Sequence, residues 1–87
     1  MKYKKKPVVV EAVQWTDNLS NYPDWLQAAL DKGIGGVWKD EGKWLCGTLE
    51  GVHVLNDNDW IVQGVEGELY PCRPSIFAAT YEQVNEA

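Results

Sequence analysis

At 87 residues the chain is one domain with room for one modest core, and a hydrophobic share of 45% with 24% charged residues excludes disorder as its default state. The formal charge of -5 is unevenly spread: Lys2, Lys4, Lys5 and Lys6 are half of the eight basic residues, so residues 7–87 set four basic against thirteen acidic groups. An acidic body repels phosphate backbones, which excludes general nucleic-acid binding, and no apolar run approaches the roughly 20 residues of a membrane helix.

Residues 1–6 read as a basic arm that keeps the next segment soluble and discourages edge pairing. "VVVEAVQW" at 8–15 is apolar on most of both faces, the pattern of a strand inside a sheet, with Pro7 at its first position where a missing donor costs least. "TDNLSNYP" is a polar connection. Tyr22, Trp25, Leu26, Ala29 and Leu30 then recur at the spacing of one helix face, so residues 23–32 form an amphipathic helix. Ser20 or Asn21 can cap it, Pro23 suits its first turn, Asp24 complements its positive end, and Lys32 with Gly33 stops it.

Gly33, Gly35 and Gly36 come after the helix, whereas phosphate loops place their glycines ahead of one, so they read as a cap and turn. Val37 and Trp38 pair with Trp44 and Leu45 across a turn at 40–42. Leu49, Val52, Val54 and Leu55 mark further short strands around a turn or bulge at Glu50 and Gly51, and His53, alternating with Val52 and Val54, faces away from them into solvent. "NDND" at 56–59 is a turn by composition. Asp57 and Asp59 have the alternate spacing of calcium loops, yet the glycine and distant glutamate of such loops are missing.

The chain is organised around 58–73, "NDWIVQGVEGELYPCR", two strands with Gly64 and Gly67 bracketing their turn. Pro71 and Pro74 keep the sheet from continuing unaltered through "YPCRPS". A short helical turn starts near Pro74 with Ile76 and Phe77 turned inward, and Thr80, Tyr81 and Val84 favour a last strand. The fold class is α+β: an antiparallel sheet of five or six short strands, one covering helix and a helical turn. Such a meander leaves a face or an edge open, which implies a homo-oligomer.

Chemistry is sparse. Cys46 and Cys72 stand alone, His53 has no zinc-like spacing to either, and no nucleophile is paired with a base, so no catalytic residue, metal or cofactor is assigned. Trp38, Trp44 and Trp60 are stacking faces, Gly64 and Gly67 offer backbone donors, and Arg73 supplies a cation, a set suited to a small nucleotide-like ligand. The other reading is a protein-protein module or inhibitor with an aromatic hot spot, and a small enzyme comes third. Three tryptophans lining one hollow beside Arg73 would favour the ligand; three scattered tryptophans would favour the protein partner.

The opening "KKPVVVEAVQW" and the closing "DWIVQGVEGELYPCRPSIFAATYEQV" resemble a family of small uncharacterised phage and prophage proteins. Asn58 stands where that family tends to carry glycine, and Ser75 where it carries an acidic residue. The resemblance implies a phage setting and no activity; the lack of a membrane span or signal-peptide core makes the host cytoplasm the expected place of action. There the chain would act without turnover as a host-defence antagonist, sequestering a signalling nucleotide or binding a host protein.

Overall fold

The computed structural model, which describes residues 1–3, 8–16 and 21–84, divides six strands between two antiparallel sheets. The elements are β1 (Glu11–Gln14), α1 (Asp24–Lys32), β2 (Val37–Asp40), β3 (Lys43–Thr48), β4 (Gly51–Leu55), β5 (Trp60–Gln63), β6 (Leu69–Cys72) and α2 (Pro74–Thr80). One sheet has the order β1-β5-β6 and the other β2-β3-β4. The expected α+β class and strand number hold. The single sheet becomes two because β2, β3 and β4 close locally through two short turns, and β6 packs across β3 and β4 instead of pairing with them.

The hairpin at 58–73 forms, with Trp60 opposite Cys72 and Gln63 opposite Leu69. Gly64 N–H donates to Glu68 O at 2.8 Å, which continues the ladder one step further. Alternation from that bond turns the backbone groups of Tyr70 and Cys72 toward β5 and those of Leu69 and Pro71 away from it. β6 therefore accommodates Pro71 and continues to Cys72: the missing N–H lies on the free edge, where no ladder bond is lost.

The first strand is an edge strand, a correction to its expected place inside the sheet. β5 holds the centre, and β1 spans only Glu11–Gln14 of the apolar run. Val8 and Val9 precede it outside regular structure, 54% and 76% exposed. Within β1, Val13 packs against the core, Ala12 and Gln14 are half-buried and Glu11 is exposed, so the apolar pattern of the run on both faces does not correspond to a central, doubly buried strand. Pro7, Lys4, Lys5, Lys6 and the Ser20 cap lie outside the described residues.

β1 is tied to the "NDND" turn at its other end. Trp15 N–H donates to Asp59 O at 2.7 Å, Asn58 N–H to Trp15 O at 2.8 Å, and Gln14 Nε2 to Asn58 O at 3.0 Å. Asn58 takes a φ of 72°, the left-handed conformation that asparagine tolerates where a glycine would otherwise stand. Asp59 is buried, and its carboxylate accepts Asn56 N–H at 2.9 Å, which supports the turn reading of this segment.

α1 begins one residue later than expected, with Pro23 in the N-cap position and no side-chain cap; Pro23 O instead accepts Leu26 and Gln27 N–H at 3.0 Å. Its stripe packs as the spacing predicts, with Leu26 and Ala29 buried and Tyr22, Trp25 and Leu30 beside them. Gly33 ends it at φ 72°, donating its N–H to Leu30 O. Leu26, Ala29, Val37, Cys46, Leu55, Ile61 and Trp15 form the core between α1 and the facing sides of the two sheets.

A second layer covers the other side of β1-β5-β6. Ala12, Val62 and Tyr70 share one row, Gln14, Trp60 and Cys72 the next. Val62 is fully buried although it lies outside the main core. α2 provides its cover: Phe77 stacks on Trp60 at 4.1 Å with an interplanar angle of 6°, Tyr81 stacks on Phe77 at 5.0 Å, and the Tyr70 and Tyr81 hydroxyls share a hydrogen bond of 2.9 Å. Two expectations fail here. Ile76 is 56% exposed, because only Phe77 of that pair lies on the helix side facing the sheet. Residues 81–84 form no strand, since Tyr81 is committed to the aromatic stack and to the Tyr70 hydroxyl.

Candidate functional site

The three tryptophans expected to stack on a ligand lie in three places. Trp44 is on the core side of β3, edge-on to Trp15 with ring centroids 4.9 Å apart, and Lys39 Nζ stands 5.9 Å from its ring centre. Trp60 is consumed by the stack with Phe77. Trp38 lies on the opposite face of β2-β3-β4 from the buried Val37 and Cys46, half-buried and outside the core. Arg73 is exposed, lines neither of the two hollows described below, and uses its carbonyl to accept Phe77 N–H at 2.8 Å.

The glycine donors are also engaged. Gly64 N–H belongs to Glu68 O, and Gly67 N–H donates to Gly64 O at 3.0 Å. Glu66 N–H donates to the Glu68 carboxylate at 3.1 Å. A phosphate at this turn would meet two glutamates and no free glycine donor, so the turn is a closed hairpin and a poor anion cradle.

A hollow of about 660 Å³ lies between α1, the β3–β4 turn and the β5–β6 turn. Trp25, Lys32, Gln63 and Glu68 give it its chemistry, and of the expected site residues only Gly67 reaches it. Tight backbone approaches shape it: a Cβ on Gly47 would sit 2.6 Å from Gly35 O, and one on Gly36 would overlap Ala29 O. Its volume is that of a ligand pocket, yet it carries one ammonium and one carboxylate and so has no net preference for an anion. Trp25 and Lys32 have roles in α1, as a core-facing ring and a C-terminal cation, that explain both from sequence without any ligand. A smaller hollow of about 280 Å³ adjoins Trp15, Trp44, Lys43 and Asp57.

The open face of β2-β3-β4 is the remaining feature. The register places Trp38, Leu45 and Val54 in one row across the three strands, with Val52 in the next row opposite Gly47. Trp38 and Leu45 are half-buried, Val54 is 47% and Val52 60% exposed, and none belongs to the core. The row is visible in sequence as the set alternating with Val37, Cys46 and Leu55; which set faces the solvent became clear only from what packs on the other.

The thiols are held protonated. Burial pushes Cys46 up to about 11, and burial followed by the Asp59 charge raises Cys72. Burial first, and then the bond to Tyr81, raises the Tyr70 hydroxyl above its usual range. Among the described residues no three His, Cys, Asp or Glu side chains gather as a metal site, and no helix is long and apolar enough to cross a membrane. Compared with family models, curated proteins and solved structures, the chain matches none of them.

Proposed function

We propose that this chain is a non-catalytic binding protein that engages a protein partner through the open face of β2-β3-β4. The row Trp38, Leu45 and Val54 carries the reading: a half-exposed indole is a side chain enriched at interface hot spots, and Leu45 and Val54 beside it extend an apolar surface that a partner would cover. The scatter of Trp38, Trp44 and Trp60 supports a protein partner over a stacked nucleotide. Protonated thiols and a solitary exposed His53 fit stoichiometric binding without turnover. The resemblance to phage proteins suggests a host or phage protein as the partner.

A second reading keeps a small ligand in the 660 Å³ hollow, on the strength of its volume and the Trp25 ring. One experiment separates the two. The native chain and a Trp38→Gln variant are used as bait in host lysate, and retained material is analysed for proteins and, after denaturation, for small molecules. A protein retained by the native chain and lost from the variant, with unchanged far-UV circular dichroism, supports the proposal. Equal retention by both baits refutes it, and a small molecule released from both moves the site to the hollow.

A further inference from the structure

We propose that β4 is a self-pairing edge: two copies of the chain join antiparallel along β4, about a two-fold axis beside His53, and fuse their β2-β3-β4 sheets into one of six strands. The edge shares its sheet with the proposed binding face but does not depend on it, because the face acts through side chains and the edge through backbone groups.

The direction of the backbone groups is set by one bond. Gly47 N–H donates to Gly36 O at 2.8 Å, so Gly47 is turned toward β2. Alternation then turns Cys46 and Thr48 toward β4, where their partners are His53 and Gly51. Val52 and Val54 are left with N–H and C=O directed away from β3. β4 thus presents two donors and two acceptors, two residues apart, on a strand whose first four residues are exposed.

The other three edges are managed. β6 turns Pro71 outward, which removes a donor. On β2 the same alternation leaves Val37 and Lys39 outward; Val37 is buried beside α1, and Lys39 is an exposed charged residue of the edge strand, its ammonium reaching toward the Trp44 ring. β1 turns out only Ala12 and Gln14, in a four-residue strand that also carries the charge of Glu11. β4, "GVHVL", has neither a charge nor a proline.

The strand's own order selects a second copy as the occupant. Val52-His53-Val54 reads the same in both directions, so an antiparallel axis at His53 sets Val52 opposite the partner's Val54 on each side. Both pairs exchange N–H···O bonds, four in all by this symmetry, and apolar side chains meet apolar ones on the open face. Glu50 falls opposite the partner's Asn56, so no acidic residue meets another there. With a formal charge of -5 on each copy, an uncharged strand is where two of them can approach. The axis is isologous and consumes the edge it uses, which closes the assembly at two.

The test is the mass of the full chain by sedimentation equilibrium from micromolar to millimolar concentration. The native chain should reach twice 9.8 kDa. Val54→Pro removes an outward N–H that makes no bond within β3–β4, and should leave a folded monomer. His53→Asp sets two carboxylates side by side across the axis and should do the same from an exposed position, so it decides the matter if the proline variant does not fold. A native chain that stays at 9.8 kDa throughout overturns the proposal, and so does a dimer that survives His53→Asp.

Discussion

Replacing Phe77 by alanine tests whether the second layer contributes to stability or merely lies on the sheet. The Phe77 ring is sandwiched between Trp60 at 4.1 Å and Tyr81 at 5.0 Å. Each aromatic pair contributes about 0.5–1.5 kcal/mol beyond its buried area. The half-buried ring adds about half of the roughly 1.5–3 kcal/mol for burying such a side chain fully. Alanine's better helix propensity offsets about 0.5 kcal/mol. The expected loss is about 3 kcal/mol, a large part of the roughly 4–13 kcal/mol typical of a domain this size. In melting temperature that is a fall of about 15 °C. Urea unfolding followed by circular dichroism measures it, with Ile76→Ala on the same helix as reference, expected within about 0.5 kcal/mol of the native chain because Ile76 is exposed. A Phe77→Ala loss below about 1 kcal/mol, or one equal to that of Ile76→Ala, would show that the stack is ornamental and that Val62 is protected by something else.

The same packing sets two further outcomes. Gly47→Ala should destabilise by about 2–3 kcal/mol, because the new methyl meets the fixed backbone of Gly35, whereas Gly64→Ala meets only the movable Glu68 carboxylate and should change stability by less than about 1 kcal/mol; equal effects in urea unfolding would contradict the close approach. The Cys46 thiol, raised by burial from 9.0 to about 11, stays protonated in the native chain while it ionises in the unfolded one, so its contribution is constant below pH 9 and is lost as the pH climbs through that window. Cys46→Ala should lack this part of the alkaline decline, and urea midpoints of the two chains that fall in parallel would refute it.

Local pattern made much of this fold legible. The β5–β6 hairpin and the β2–β3 hairpin were readable because alternation and turn residues act within a few positions, as Glu41 and Gly42 at positive φ illustrate. α1 was readable because its stripe is long enough to specify one face. What escaped was set by distant partners. The edge position of β1 depends on β5 taking the centre, and the apolar pattern of the run does not report it: Val8 and Val9 lie outside β1 and are exposed. The absent last strand shows the same override: Thr80, Tyr81 and Val84 have strand propensity, but Tyr81 finds more by stacking on Phe77. The candidate site was legible in kind and not in place. Large aromatic rings announce a surface or a core without saying which, and Trp44, Trp60 and Trp38 became a core contact, a helix anchor and an open face.

The pairing of Glu11 with Gln63 bears on how the molecule folds. The β2-β3-β4 meander closes through neighbours and is free to form early, while β1 meets its only ladder partner across most of the chain, a loop whose closure entropy is met only when β5 is already in place. β5 in turn receives the cover of its second face from α2. The expected order is therefore meander first, then the β5–β6 hairpin on it, with β1 and α2 closing together. During that interval β4 stands as a finished strand with a bare edge on an unfinished molecule, and encounters between nascent chains at that edge would decide whether pairing precedes or follows the completion of the core.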